Sequence, residues 1–364
     1  MIKTLAIFSP SQNAYSETFI QSHKKLPFNI KYYYDGFLPS KLEGAKNLYE
    51  FNIYEKIKLK ADTNFSFSGY ALLKSLKKEK VDCVLAEYGP TGCESLHVIK
   101  FLGLPLIVQF FGYDATLHST INQYKEKYKD VFDYAKYVVV VSTKMKEDLI
   151  KLGCPLEKIA LSYCGPDNSF FKANPQFKAS QFVSVGRFVD KKAPYLTLAA
   201  FKNVVVKFPE ATLVMIGDGI LLSTCKNLAK LWKIDKNVEF TGIKNPSEIF
   251  KIFEESIAFV QHSITADNGD SEGTPVAVLD AQAAGIPVIS TRHAGIADVV
   301  LDNTTGLLVE EYDVDGMTLN MLRLLEEKCL AKKMGDAGRK RVSENFSIDK
   351  NLDELETIIR DCMS

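Results

Sequence analysis

The 364-residue sequence has few of the features that mark zinc-binding, disulfide-bonded or membrane-spanning proteins. Its seven cysteines are scattered, and no two of them form a Cys-x-x-Cys pair. This argues against a structural zinc site and a disulfide framework, and it predicts a reducing, cytoplasmic location. The longest apolar runs, such as residues 104–111, fall short of the ~18–20 residues that span a bilayer. The apolar part of the opening segment 1–11 is too short for a signal peptide and predicts a buried first strand.

The sequence also lacks two common nucleotide-binding motifs, and it carries no net charge. Neither G-x-G-x-x-G nor G-x-x-x-x-G-K-[ST] occurs, which argues against a dinucleotide dehydrogenase and a P-loop NTPase. The 45 basic and 45 acidic residues cancel, which argues against a nucleic-acid partner bound through bulk positive charge. The cancellation hides an asymmetry, because residues 1–165 hold 22 lysines and 17 acidic residues, a net charge of +5.

Short β-branched runs alternate with helical patterns along the whole chain. The runs are KTLAIFS, VDCVLAEY, LPLIVQFF, KYVVVVS, IALSY, QFVSVG, ATLVMIG, NVEFTG, IAFVQ, IPVIS and GLLVE. Such alternation predicts an α/β fold with parallel sheets covered by helices on both faces. Eleven strands are too many for one comfortable sheet, and an irregular stretch at 168–180 interrupts the series. We therefore predict two Rossmann-like domains, 1–170 and 175–345, and a final amphipathic helix at about 346–364 that packs back on the first domain.

The loop after the strand QFVSV is the first candidate for chemistry. Gly186 is followed by Arg187, the first arginine of the chain, then by Lys191 and Lys192, and Pro194 is placed to start a helix. A guanidinium fork and an ammonium group together suit a diphosphate. The alternative interpretation is a solvated basic loop.

The second candidate is the segment 262–290, in which a polar stretch leads into an apolar helix. Thr274 is the expected N-cap and Pro275 the expected start, so that the N–H groups around residues 273–276 predict an anion site. Glu272 is then free to reach a ligand. Asp280 stands among small apolar residues and is expected to bind a hydroxyl or a cation, the alternative being an acid on a solvated helix face. The glycine turns 216–219 and 240–245 are weaker signals, typical of αL turns.

Together these segments resemble a known family. The loop 184–192, IGDG, FTG and above all SEGTPVAVLDAQAAGIPVISTRHAGI are similar to retaining GT-B glycosyltransferases of family 4, of the exopolysaccharide and colanic-acid type. The early segments SETFI (16–20) and FGYDAT (111–116) share the resemblance. It implies two facing Rossmann-like domains that move a sugar from a UDP- or GDP-linked donor with retention. Because two cations and a helix end suffice to stabilise a diphosphate and no metal-ligand cluster is visible in the sequence, we expect neither a metal nor another cofactor.

The resemblance also implies a role for individual residues of the donor domain. Arg187 and Lys192, next to Gly186, would hold the diphosphate, and Glu272 would contact the transferred sugar. Asp280 would bind the ribose. Backbone at Gly242 and Ile243 would contact the base, and backbone at Gly273, Thr274 and Pro275 would assist Glu272.

The first domain would take a glycan or lipid-linked acceptor for surface polysaccharide or capsule synthesis. The lysine clusters 74–80 and 125–129 raise the hypothesis of peripheral contact with the inner membrane leaflet, although glutamates in both favour a merely solvated face.

Two positions depart from the family pattern. The second acid is Asp280 instead of Glu, and Phe111 stands where the family has a histidine. Asp114 is the nearest polar candidate for a catalytic contact, with a helix cap as the alternative, and Tyr113 and His118 are further candidates. These departures support a rival interpretation, a non-catalytic glycosyltransferase-like binding subunit; a nucleotide-sugar epimerase on the same fold is a third.

Overall fold

The computed structural model describes residues 2–13, 18–45, 47–49 and 65–364, and these fall into two compact units. Unit 1 comprises Met1–Ser162 with Asn351–Ser364, and unit 2 comprises Tyr163–Lys350. Each unit is built on its own sheet. Within the described ranges, no helix is both long and apolar enough to cross a bilayer.

The described residues of unit 1 form a seven-stranded sheet in the order β3-β2-β1-β4-β5-β6-β7. All neighbouring strands are parallel except β2 and β3. The strands are β1 (Thr4–Phe8), β2 (Asn29–Tyr34), β3 (Lys41–Leu42), β4 (Cys83–Glu87), β5 (Leu106–Phe110), β6 (Tyr137–Val140) and β7 (Ile159–Leu161). The central strands β1, β4 and β5 are buried along their whole length, as their continuous apolar sequence requires.

Helices cover both faces of this sheet. They are α1 (Thr18–Ser22), α2 (Phe67–Lys78), α3 (Gly89–Leu102), α4 (Tyr113–Thr116), α5 (His118–Tyr134) and α6 (Thr143–Lys151). Serine side chains start two of them, because Ser66 accepts a hydrogen bond from the Gly69 N–H and Ser142 from the Met145 N–H. Gly103, in the left-handed conformation, ends α3.

The final helix, α14 (Ile348–Cys362), completes the core of unit 1. Its side chains Leu355, Ile359 and Cys362 are buried in the same cluster as Leu5 and Ile7 of β1. The predicted return of a C-terminal helix to the first domain is thereby confirmed.

Unit 2 contains a six-stranded, fully parallel sheet in the order β10-β9-β8-β11-β12-β13. Its strands are β8 (Gln181–Val185), β9 (Thr212–Ile216), β10 (Val238–Gly242), β11 (Ala258–Gln261), β12 (Val288–Thr291) and β13 (Gly306–Val309). Its helices are α7 (Pro194–Lys207), α8 (Leu222–Leu231), α9 (Pro246–Glu255), α10 (Val276–Ala283), α11 (Ile296–Val299), α12 (Val314–Glu326) and α13 (Lys328–Asn345). The strand order reverses between β8 and β11, which is where doubly wound sheets bind ligands.

All eleven predicted strands are present, and the sequence missed β2 and β3. The segment predicted as a linker contains a short 3-10 helix, Asn168–Lys172, and it belongs to unit 2. Phe170 from this segment is buried against Phe253 of α9, with ring centroids 5.3 Å apart. Unit 2 therefore begins at residue 163, earlier than the predicted boundary at 170–175.

Candidate active site

The candidate site lies at the carboxyl edge of the second sheet, around the reversal between β8 and β11. Two segments form most of it. We name residues 186–193, after β8, the Arg187 loop, and residues 262–275, between β11 and α10, the Glu272 loop. Turns after β9 and β10 adjoin the Arg187 loop, since the Gly217 N–H donates to the Gly242 carbonyl and the Phe188 N–H to the Asp218 carbonyl.

Arg187 is exposed at the tip of its loop. Its guanidinium forms no hydrogen bond or ion pair within the described part of the chain. The loop itself is rigidly supported, because Phe188 is buried and the Gly186 N–H donates to the Ile216 carbonyl. The site thus presents a free bidentate cation on a fixed backbone.

The turn 217–219 supports the Arg187 loop through direct backbone contact. A Cβ on Gly217 would lie 2.0 Å from the Gly186 carbonyl oxygen, and one on Gly219 would lie 2.5 Å from that of Phe188. Both glycines also have positive φ, 135° and 152°. The IGDG segment is therefore more than a turn signal, since only glycine permits this approach.

The lysines of the Arg187 loop turn inward. Lys192 Nζ lies 3.1 Å from Glu272 Oε1 and 3.4 Å from Gln261 Oε1. Lys191 is buried, with Nζ 2.9 Å from Asp270 Oδ1 and 3.1 Å from the Ser271 carbonyl. These contacts fasten the Arg187 loop to the Glu272 loop. The sequence analysis predicted Lys192 and Glu272 as separate site residues, but it did not predict that they form an ion pair.

Burial and mutual attraction act in opposite directions on this pair. Burial lowers the pKa of Lys192, and the Glu272 carboxylate partly opposes that change. Burial also disfavours ionised Glu272, but Lys192 and Lys191 outweigh it and hold the pKa of Glu272 below its ordinary value. The pair is consequently ionic, with little water around it.

Helix α10 begins one residue later than the sequence predicted. Pro275, with φ −75° and ψ 101°, is its N-cap, and the expected N-cap Thr274 lies outside the helix. The prediction of a Thr274 cap is wrong because Pro275 takes the extended conformation of the cap position and its carbonyl accepts from the Val278 N–H. The N–H groups of Val276 and Ala277 have no acceptor within the described residues, so the helix end remains a potential anion site.

Asp280 carries a bond that the sequence did not suggest. Its Oδ1 accepts the backbone N–H of Asp167 at 3.0 Å, which ties the start of unit 2 to α10. Burial raises the pKa of Asp280 to about 8 despite this hydrogen bond. An expected ribose contact would therefore require this carboxyl group to serve both Asp167 and a ligand.

Gly242 ends β10 beside the turn 217–219, and Ile243 follows the strand. Gly242 has a φ of 73°, and no atom lies within 4 Å of the Cβ position that it lacks. The Ile243 side chain is 53% exposed. An exposed apolar side chain next to an open glycine fits the flat face of a nucleobase.

In unit 1, Asp114 is fully buried at the carboxyl edge of the sheet. Its Oδ2 accepts the Gly89 N–H at 3.0 Å, and its Oδ1 accepts those of Phe111 at 3.1 Å and Gly112 at 2.9 Å. Burial nevertheless raises its pKa to about 6. These contacts hold the turns after β4 and β5 together. Helix α4 has Gly112 as its N-cap and no side-chain cap, and a catalytic contact of Asp114 stays a prediction.

Aromatic rings surround the position where the family has a histidine. The ring of Phe111 lies 4.7 Å from that of Phe19 and 5.0 Å from that of Tyr88, and Tyr113 lies 5.2 Å from Tyr88. His118 is exposed at the start of α5. Part of the SETFI segment, residues 16 and 17, lies outside the described residues.

The sequence also missed residues that support the Glu272 loop. The Glu272 N–H donates to His293 Nε2 at 3.1 Å, and His293 Nδ1 lies 2.6 Å from Glu311 Oε1. His293 belongs to the motif that carried the resemblance, but a lone histidine gives no sign of a partner 21 residues away. Among the described residues, no three His, Cys, Asp or Glu side chains are grouped to hold a metal ion.

Two family models match consecutive parts of the chain. The model described as Glycosyltransferase Family 4 matches residues 39–170, and the model described as Glycosyl transferases group 1 matches residues 167–341. With the two Rossmann-like units, these matches show that the chain belongs to the GT-B glycosyltransferases.

Similar curated proteins belong to polysaccharide synthesis. The chain is 29% identical to the putative colanic acid biosynthesis glycosyltransferase WcaL of Escherichia coli K12, over 77% of this chain and 71% of that protein. It is 27% identical to the amylovoran biosynthesis glycosyltransferase AmsK of Erwinia amylovora, over 73% and 67% of the two chains. Among solved structures, Anabaena HepE in complex with UDP has a TM-score of 0.78 and 14% identity, covering 99% of this chain and all of that one.

Proposed function

We propose that this glycosyltransferase moves a sugar from a nucleoside-diphosphate donor to a hydroxyl of a glycan or lipid-linked acceptor in exopolysaccharide synthesis, with retention of anomeric configuration. The observation that carries the proposal is the free guanidinium of Arg187, beside the Lys192–Glu272 pair and the open start of α10. The relatives named for colanic acid and amylovoran synthesis support the pathway.

The donor diphosphate would bind where positive charge is concentrated. Arg187 offers two parallel N–H donors, Lys192 an ammonium group, and Val276 and Ala277 backbone N–H groups. Negative charge grows on the leaving diphosphate as the sugar departs, so these groups stabilise the transition state more than the ground state. The proposal therefore needs neither a metal ion nor a cofactor.

Glu272 would hold the transferred sugar while Lys192 shifts towards the phosphate. Their 3.1 Å ion pair keeps both side chains in place before the donor arrives. In the reaction, the bond from the anomeric carbon to the phosphate oxygen breaks and the acceptor oxygen bonds to that carbon from the same face. The acceptor proton passes to the leaving phosphate, so that no covalent enzyme intermediate forms.

The remainder of the nucleotide would extend over the end of β10. The base would stack on Ile243 next to Gly242, and Asp280 would bind the ribose. HepE is described with UDP, whereas a mannosyltransferase relative from Corynebacterium glutamicum is named as GDP-mannose-dependent. Thermal shift with UDP and GDP distinguishes the two, because the nucleotide that binds raises the melting temperature.

Unit 1 would take the acceptor, and a lipid-linked acceptor would bring it to a membrane surface. A relative 26% identical over 80% of this chain is named as acting on a diphosphoundecaprenol-linked sugar. Near an anionic leaflet, each lysine contributes ~1 kcal/mol. Co-sedimentation with phosphatidylglycerol vesicles at low and high salt tests this contact, and binding that ignores salt would contradict it.

A transfer assay tests the function as a whole. Purified protein is incubated with UDP- and GDP-sugars and an acceptor extract, and release of nucleoside diphosphate is followed with and without acceptor. Acceptor-dependent release with an α-linked product from an α-linked donor is the expected result. Nucleotide binding without release would instead indicate the non-catalytic binding subunit.

A further inference from the structure

His293 contacts the backbone of the Glu272 loop and is not among the residues assigned to donor or acceptor. It is 2% exposed and follows β12, in the turn before α11. Its Nε2 accepts the Glu272 backbone N–H at 3.1 Å. Nothing in the proposed mechanism uses this side chain, and yet it touches the residue assigned to the transferred sugar.

The hydrogen bonds define which nitrogen of His293 carries the proton. Because Nε2 accepts a backbone N–H, the proton of the neutral ring lies on Nδ1 and is donated to Glu311 Oε1 at 2.6 Å. Glu311 is held in turn by the Thr265 N–H, which donates to Oε2 at 2.9 Å. The bonds run from Thr265 through Glu311 and His293 to Glu272, and they join both ends of the Glu272 loop.

The backbone next to His293 is strained. Ala294 has a φ of 43°, a left-handed conformation that is unfavourable for a residue other than glycine. The turn is fixed on both sides, because the Arg292 N–H donates to the Val309 carbonyl and the Ile296 N–H donates to the His293 carbonyl. Such strain persists where the surroundings over-determine a position.

We propose that His293 and Glu311 are positioning residues that set the Glu272 carboxylate against the donor sugar. The inference rests on the proposed role of Glu272. Lys192 holds the Glu272 side chain, but it must also serve the diphosphate when the donor binds. His293 holds the Glu272 backbone through a contact that the donor does not compete for, so the carboxylate stays in place when Lys192 shifts.

Two substitutions separate the two hydrogen bonds of the ring. His293→Gln keeps an acceptor near the Nε2 position for the Glu272 N–H. His293→Asn keeps a donor near the Nδ1 position for Glu311 but loses that acceptor. We expect His293→Asn to lower kcat about tenfold to a hundredfold, as displacement of a reacting group does, with the donor KM within about threefold. His293→Gln should recover most of kcat.

A second pair of substitutions tests the other hydrogen bond of the ring at Glu311, which is more exposed than His293. Glu311→Gln retains one oxygen, which can accept from His293 Nδ1 or from the Thr265 N–H but not from both, and Glu311→Met of similar size removes both acceptors. We expect Glu311→Met to lower kcat in the same direction as His293→Asn, and Glu311→Gln to lie between Glu311→Met and the wild type. Melting temperatures of all four variants identify any loss of activity that comes from unfolding.

Three measurements allow the inference and the proposed function to fail separately. Glu272→Gln alone tests the proposed function; unchanged turnover in that variant would overturn it and the inference with it. If Glu272→Gln is impaired, the double variant Glu272→Gln/His293→Asn should be no slower than the slower single variant, because His293 acts through Glu272. Additive losses, or equal kcat in the Asn and Gln variants, would overturn only the inference. The ¹⁵N resonances that disappear in His293→Gln should show a neutral ring protonated at Nδ1; protonation at Nε2 would also overturn it.

Discussion

Arg187 and Lys192 are cations of one loop in different surroundings. The Arg187 guanidinium is exposed and unpaired within the described residues, whereas Lys192 is an ion-pair partner of Glu272. Arg187 can therefore bind an anion without losing an existing contact, whereas Lys192 has to give up part of its ion pair with Glu272 to do so. Loss of Arg187 should accordingly affect the donor without affecting the fold.

Arg187→Ala should weaken donor binding or turnover about tenfold to a hundredfold, since hydrogen bonds to charged groups contribute ~1.5–3 kcal/mol. Arg187→Lys should recover only part of this loss, because the planar fork is missing. Steady-state kinetics with varied donor measures both. Arg323→Ala, an exposed arginine of α12, is the matched control. Wild-type kinetics in Arg187→Ala would remove the loop from the site.

Asp280 makes stability depend on pH. Its pKa is about 8 in the folded chain against an ordinary value near 4. Between these values the folded chain keeps a proton that the unfolded chain releases, so the free energy of unfolding falls as pH rises from about 4 to about 8. Asp280→Asn keeps an oxygen for the Asp167 N–H and loses the titration.

We therefore expect Asp280→Asn to melt above the wild type at pH 8 and to show a flatter profile of melting temperature between pH 4 and 8. Each 1 kcal/mol amounts to about 2–4 °C for a domain of this size. Asp336→Asn, an exposed acid of α13, controls for the general loss of a charge. Parallel profiles of Asp280→Asn and wild type would contradict the expectation. A higher Kd for the donor in the same variant would support the ribose contact.

The residue types of the site follow from the sequence better than their partners do. A cation after a strand, an acid just before a helix and an acid within an apolar helix are local signals, and they led to the prediction of Arg187, Lys192, Glu272 and Asp280 as site residues. Lys192 and Glu272 are 80 positions apart, and the Asp167–Asp280 bond spans 113. Such pairs depend on how loops meet at a sheet edge, and spacing alone does not encode that.

At the scale of elements, the turn 217–219 packs directly against the backbone of the Arg187 loop and supports it. Its two glycines let one backbone lie directly on another, and the sequence shows only that they are glycines. Strand β2 was missed because the prediction rested on β-branched runs, and its sequence NIKYYY contains only one β-branched residue. Its burial does not alternate either, since Tyr32 and Tyr33 are both buried.

Gly217→Ala should destabilise the fold by roughly 2–5 kcal/mol, because its φ is unfavourable and its Cβ overlaps the Gly186 carbonyl. The displaced Gly186 should also raise the donor KM. Gly153→Ala is the matched control, since Gly153 has a φ of 96° but no atom within 4 Å of the added Cβ, and it should cost only about 1–2 kcal/mol. Denaturant unfolding compares them. Equal costs would show that the close approach is relaxed without strain.

At the scale of the whole molecule, helix α14 joins the last residues to the first strand. The hydrophobic stripe of this helix and the absence of a strand after it made its return to unit 1 predictable. Its exact partners were not, because packing against β1 and β4 is a tertiary property.

Leu355→Ala should cost about 2–5 kcal/mol, as for other buried leucines. The loss should be confined to unit 1, so that amide hydrogen exchange accelerates in β1 and β4 and stays unchanged in β8 and β11. Leu319→Ala, whose side chain is 63% exposed on α12, is the control and should change little. Faster exchange in both units would mean that they unfold together.

The position of α14 also determines the order in which the cores of the two units can be completed during translation. The ribosome translates all of Tyr163–Lys350 before it reaches Leu355, Ile359 and Cys362, whose side chains complete the core of unit 1. The unit that is begun first is therefore completed last, and nascent chains carry an open apolar face until translation has passed Cys362. Chains released earlier keep that face exposed, and exposed apolar surface is what chaperones and proteases act on. The core of unit 1 therefore closes only after all of unit 2 has been made.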